Sequence, residues 1–193
     1  MAGHARYTAV LDACVFYPIA VADALMSIAA EGLFAAKWTE RIEAEWISAL
    51  EQDRPDLAGR LDVRRMTMRN AIPDWEVSQR AYAAVKSVPE LPDPQDAHVL
   101  AAAIAGHADC IVTFNLKDFP GAVLGPLGIE VLHPDAFLIN QWDLDDATVI
   151  AALRGMRLRW RRPAADVETF AAALERNRLA RTAQRVRHQQ HLI

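Results

Sequence analysis

The residues of this chain best suited to chemistry are three carboxylates, Asp12, Glu45 and Asp96, and the amide of Asn115. Asp12 closes the apolar run Ala9-Val10-Leu11 and precedes Cys14, Val15 and Phe16, which sets a carboxylate in hydrophobic surroundings. Asn115 follows a second apolar run, Cys110-Ile111-Val112-Thr113-Phe114. Both fall at the carboxyl ends of expected strands, where open α/β sheets gather their ligands. Glu45 is placed by a helical wheel. Trp38, Ile42, Trp46 and Ala49 define an inward stripe, Glu45 lies beside it, and Glu40 and Glu43 turn toward solvent. Asp96 stands at the opening of a helix, in Asp93-Pro94-Gln95-Asp96, and a helix start beside a strand end can hold its carboxylate near Asp12. Acids gathered in this way cannot all ionise without a cation. An oxygen-rich set suits Mg2+ or Mn2+, which activate water and stabilise a leaving oxygen on phosphate.

Each residue also has a plainer use, and the sequence leaves both open. Asp12 can be a turn aspartate, Glu45 can pair with Arg41 one turn earlier, and Asp96 can serve the helix cap alone. His98 follows Asp96 by two residues, need not face the same way, and reads as structural. The other histidines, His4, His107, His133, His188 and His191, have no ligand spacing with cysteines, which argues against zinc. Cys14 and Cys110 lie in apolar runs and read as buried thiols of a reducing compartment.

The elements that must position these residues alternate. A strand over Tyr7 to Asp12 precedes a helix over Pro18 to Phe34, and Thr39 caps a helix to Leu50. Arg54 to Asn70 continues helical, and Pro73-Asp74 breaks it before a short Trp75 to Val77 segment and a helix through Lys86. Ala97 to Gly106 is helical, and Cys110 to Phe114 and Ile129 to Leu132 are strands. The alternation predicts an α/β domain with a mainly parallel sheet over residues 1–140. Residues 141–193 read as a helical extension, with a long helix from about Asp166 to Arg187.

A content of 52% hydrophobic and 24% charged residues is that of a globular protein. The apolar stretches Ile19 to Ala30 and Val99 to Ala105 are interrupted or too short to span a bilayer, and no secretory leader precedes the first strand, so a cytoplasmic protein is expected. Charge divides unevenly: residues 1–150 hold 22 of the 25 acidic side chains, while residues 151–193 hold 10 of the 21 basic ones. Arg154, Arg157, Arg159, Arg161 and Arg162 form a basic segment that can meet a polyanion or dock on the acidic body.

In this order the motifs resemble the PIN-domain nucleases, particularly VapC-type toxins with an added C-terminal helical segment. The resemblance rests on Leu11-Asp12-Ala13-Cys14, on the run from Trp38 through Glu45, on the run from Asp93 through Ala103, and on Ile111 to Pro120. It covers roughly residues 6 to 138. It implies a PIN-like parallel five-stranded sheet flanked by helices and an acidic cleft binding Mg2+ or Mn2+. It also implies endonucleolytic cleavage of RNA, homodimerisation and a VapB-type antitoxin partner. The metal acids carry over to Asp12, Glu45 and Asp96. Where many members have Thr-x-Asp, this chain has Thr113-Phe114-Asn115, with Asp118 three residues later. An amide can coordinate through its carbonyl oxygen but adds no charge, so Asp118 is a candidate fourth metal acid beside Asn115. Thr113, Arg157 and Arg159 are candidate substrate contacts. Thr113 can equally be a strand-end hydroxyl bonded to backbone.

Two rival functions remain. A phosphatase can use an aspartate after the first strand as nucleophile, but Cys14 stands where such enzymes carry a second Asp. A PIN-like module that has lost its fourth acid can bind RNA or protein without cleaving.

Overall fold

A computed structural model describes residues 6–161 and 165–193. By contacts the chain divides into two units, residues 1–17 with 34–133 and residues 18–33 with 134–193. The helix that begins at Pro134 groups with the second unit.

The first unit is α/β. Its strands are β1 (Thr8–Leu11), β2 (Ala35–Lys37), β3 (Cys110–Val112) and β4 (Glu130–Leu132). They form one parallel sheet in the order β2-β1-β3-β4. Ala9, Val10 and Leu11 of β1 and all of β3 are fully buried, as uninterrupted apolar runs require of central parallel strands. The helices of this unit are α1 (Ala13–Phe16), α3 (Glu40–Asp53), α4 (Asp62–Ala71), α5 (Gln79–Ala83), α6 (Ala97–Ala105) and α7 (Gly121–Leu124). The second unit consists of α2 (Ile19–Ala30), α8 (Pro134–Leu144), α9 (Asp146–Arg159), α10 (Val167–Arg176) and α11 (Ala180–His188).

Three expectations are corrected. Among the described residues the sheet has four strands, not five. The Trp75 to Val77 segment contributes a single parallel bridge, Trp38 to Glu76, held by Trp38 N donating to Trp75 O at 3.0 Å and Val77 N to Trp38 O at 2.9 Å. Pairing stops there because Thr39, the next residue, leaves the sheet to cap α3 through Ile42 N at 3.1 Å. The helix expected from Arg54 begins only at Asp62, after a 3-10 turn over Pro55–Leu57 and Gly59 at φ +70, a left-handed position that ends helices.

The long tail helix is a hairpin. α10 ends in a Schellman turn, with Arg178 at φ 65, Arg178 N donating to Glu175 O at 3.0 Å and Leu179 N to Leu174 O at 3.1 Å. Leu174 and Leu179 are both buried, which supplies the apolar contact that goes with this turn. The buried Asp135 then caps α11, accepting from Arg181 N and Thr182 N at 2.9 Å each and from Thr182 Oγ1 at 2.7 Å. Among the described residues no helix is long and apolar enough to cross a membrane.

Candidate active site

The register of β1 on β3 pairs Leu11 with Val112, so the next residues, Asp12 and Thr113, leave the sheet side by side. Thr113 Oγ1 donates to Asp12 Oδ2 at 2.7 Å, and both side chains are buried. Asp12 also N-caps α1, its Oδ1 accepting from Ala13 N at 2.6 Å. Cys14 Sγ donates to Asp12 Oδ2 at 3.0 Å and accepts from Phe114 N at 3.2 Å. Burial, and then the charge of Asp12, push the Cys14 thiol up to about 12, so it stays protonated at neutral pH and keeps its donor. Asn115 N donates to Thr113 Oγ1 at 3.0 Å.

Asp96 closes a 3-10 turn, Pro94–Asp96, and leads into α6. Asp93 supplies the cap of that turn, accepting from Gln95 N at 2.8 Å, and the Asp96 side chain makes no capping bond. Its carboxyl is pushed up to about 6, first by burial and then by the charges of Asp12, Asp93 and Asp118, with His98 acting the other way. Asp118 ends a 3-10 turn, Leu116–Asp118, closed by Asp118 N donating to Asn115 O at 3.0 Å. The buried Phe119 anchors that turn, while Asn115 itself is exposed.

Glu45 faces a different set of partners. His98 Nε2 approaches its Oε1 at 2.9 Å and Arg41 Nε donates to the same oxygen at 3.1 Å. Burial pushes the carboxyl up, but the ring of His98 and the guanidinium of Arg41 together outweigh it and hold Glu45 below the ordinary glutamate range. His98 is buried, bonded to Glu45 and within electrostatic reach of Asp96. Glu43, expected to face solvent, is 1% exposed. It accepts from Trp38 Nε1 at 2.9 Å and from Arg69 Nε at 3.0 Å, and Arg69 in turn lies over the Trp75 ring. A wheel drawn on α3 alone misplaces it because the matching cation comes from α4.

The PIN domain family model matches residues 8–117, more than half of the chain. The chain belongs to the PIN-domain family. A second model, the VapC50 C-terminal domain, matches residues 134–188. A stretch of 62 residues is 50% identical to "Putative ribonuclease VapC50" of Mycobacterium tuberculosis (strain ATCC 25618 / H37Rv), covering 32% of this chain and 37% of that relative. No solved structure matches the chain.

The donor chemistry of this PIN domain fits a hard divalent cation. Asp12, Asp96 and Asp118 offer oxygen alone, and the Asp96 carboxyl, raised first by burial, is raised further by the charges of Asp12, Asp93 and Asp118, which a cation would relieve. Among the described residues, no three His, Cys, Asp or Glu side chains are gathered closely enough to hold a metal ion as they stand.

The candidate substrate arginines have competing uses within the second unit. Arg157 donates to Ile193 O at 2.9 Å and to Ala165 O at 2.7 Å, and Arg159 to Asp23 Oδ1 and Ser27 Oγ at 2.7 Å each. Arg154 and Arg161 are exposed, and Arg162 lies outside the described residues. Two PIN-domain residues acquire contacts that their types do not signal. In the sequence Cys14 reads only as apolar, and His98 stands two residues from Asp96 with nothing to mark its approach to Glu45.

Proposed function

We propose that this chain is a divalent-metal-dependent endoribonuclease, the toxin of a toxin–antitoxin pair, hydrolysing RNA phosphodiester bonds. The observation that supports this reading is that the charges of Asp12, at the carboxyl end of β1, and of Asp118 both act on Asp96, in a chain of the PIN-domain family. Asp12, Asp96 and Asp118, with Glu45 delivered from α3, hold Mg2+ or Mn2+. The bound ion supplies an activated water and stabilises charge on the scissile phosphate. Thr113 fixes the Asp12 carboxylate, and the exposed amide of Asn115 can orient substrate or water. His98 and Arg41 hold Glu45 ionised and oriented. A VapB-type antitoxin, a homodimeric assembly and a cytoplasmic location belong to the same proposal, with the nuclease domain at 1–140 and the extension at 141–193.

A nucleophilic Asp12 finds less support. Its carboxylate accepts three hydrogen bonds, from Ala13, Cys14 and Thr113, which draw charge from it and weaken it as a nucleophile, while about one of its four lone-pair sites stays open to a cation. The cellular test is growth after induction. Wild type arrests growth, and both Asp12→Ala and Asp96→Ala relieve the arrest at equal protein levels. Equal arrest by all three rejects the catalytic reading.

A further inference from the structure

We infer that Cys14 is a positioning residue of the candidate active site, whose thiol orients the Asp12 carboxylate and ties it to the backbone at the end of β3. The inference rests on the metal-site reading above and goes beyond it, because no thiol is needed to ligate the ion.

The protons around Asp12 can be assigned one by one. Asp12 Oδ2 has two side-chain neighbours, Thr113 Oγ1 at 2.7 Å and Cys14 Sγ at 3.0 Å, and a carboxylate oxygen can only accept from them. The Thr113 hydroxyl proton is committed to Asp12, and its oxygen accepts from Asn115 N at 3.0 Å. Cys14 Sγ lies 3.3 Å from Thr113 Oγ1, but its one proton serves the carboxylate, while its sulfur accepts from Phe114 N at 3.2 Å. Every donor in the ring has one acceptor. The two side chains form a matched pair, Thr113 from β3 reaching Asp12 directly and Cys14 from α1 reaching both Asp12 and the β3 backbone.

The consequence lies in the carboxylate's rotation about its own bond. With Ala13 N on Oδ1 and two side-chain donors on Oδ2, the plane of the carboxylate is held from both ends before any cation arrives. Removing the thiol leaves Thr113, among the described residues, as the one side chain on Oδ2 and takes away the sulfur that accepts from Phe114 N. Groups that orient a metal-ligating side chain typically affect metal affinity by about 10-fold to 100-fold when removed. A serine can replace the thiol in both capacities, since a hydroxyl donates one proton and accepts others.

The test uses the full chain and Mn2+ alone, with affinity read by titration calorimetry and folding by melting in chelator. Wild type, Cys14→Ala and Cys14→Ser are compared. Cys14→Ala is expected to bind Mn2+ about tenfold more weakly and to fold cooperatively in chelator, melting below wild type by the loss of its two hydrogen bonds, while Cys14→Ser melts close to wild type. Cys14→Ser is expected to recover most of the affinity. If wild type binds Mn2+ and Cys14→Ala binds it equally, or if Cys14→Ser is as weak as Cys14→Ala, the positioning role is overturned while the metal site stands. If wild type itself binds no Mn2+, the metal-site reading falls and takes this inference with it.

Discussion

Thr113 Oγ1 lies 2.7 Å from Asp12 Oδ2, so a single hydroxyl joins the ends of two central strands whose residues are 101 positions apart in sequence. The bond is buried, and the same oxygen accepts Asn115 N. Replacing the hydroxyl with a methyl leaves two polar partners without it, at a cost of about 1–3 kcal/mol. Thr113→Val is therefore expected to lose about that much stability and to cleave RNA poorly, and Thr113→Ser to retain both. Urea melts of the two variants check it; equal stability of Thr113→Val and wild type contradicts it.

Glu43 and Glu45 are expected to separate stability from function. Glu43 is a buried partner of Arg69 and Trp38, and removing one member of such a pair costs about 3 kcal/mol, somewhat less here because Arg69 is partly exposed. Glu43→Ala should melt early. Glu45→Gln, at a half-exposed position, should melt near wild type but bind Mn2+ weakly. Denaturant melts and Mn2+ titration of both decide it, and the reverse pattern contradicts the assignment.

The pH dependence follows from Asp96. Its carboxyl is raised from 3.8 to about 6 by burial and by Asp12, Asp93 and Asp118. A raised carboxyl means that the folded protein holds the proton more tightly than the unfolded chain. The resulting stability is present below about pH 4 and is lost as pH rises through about 6. In chelator, Asp96→Asn should be more stable than wild type at pH 7.5, by roughly 1 kcal/mol once solvent screening of a partly exposed group is allowed for. The advantage should narrow toward pH 5. Melting both proteins across that range tests it, and a constant difference contradicts it.

Asp135→Ala isolates the second unit. It removes three hydrogen bonds from the start of α11, a loss of about 2 kcal/mol for a buried cap of this kind. The variant should melt early while its Mn2+ affinity stays at the wild-type value. Calorimetry on the folded protein checks it, and a matching loss of affinity contradicts it.

The parts legible in the sequence are those with strong local signals. The apolar runs in β1 and β3 are readable, and the sequence alone assigns Asp12 to the end of β1, whereas β3 ends at Val112 and Asn115 opens the 3-10 turn beyond it. The Thr39 cap of α3 is equally readable. β2, Ala35–Lys37, carries no β-branched residue and gives no strand signal. The break between α10 and α11 turns on a left-handed arginine, Arg178, where glycine is the usual sign. Glu43 is misplaced by its helical wheel because its partner Arg69 is 26 residues away. Of the candidate site, Asp96 is within electrostatic reach of Asp12 and of Asp118, while the contacts of Cys14 with Thr113 and Phe114 and of His98 with Glu45 arise only when distant segments fold together.

The central claim is metal-dependent cleavage of RNA through Asp12, and the most direct measurement is cleavage of a structured RNA by the purified chain. Wild type, Asp12→Asn and Asp118→Asn are assayed in chelator and across Mg2+ and Mn2+ concentrations. Wild type is predicted to cleave only with metal, Asp12→Asn to lose at least about 100-fold in rate while folded, and Asp118→Asn to need more metal. Cleavage by Asp12→Asn at the wild-type rate, or cleavage by wild type that persists in chelator, contradicts the account.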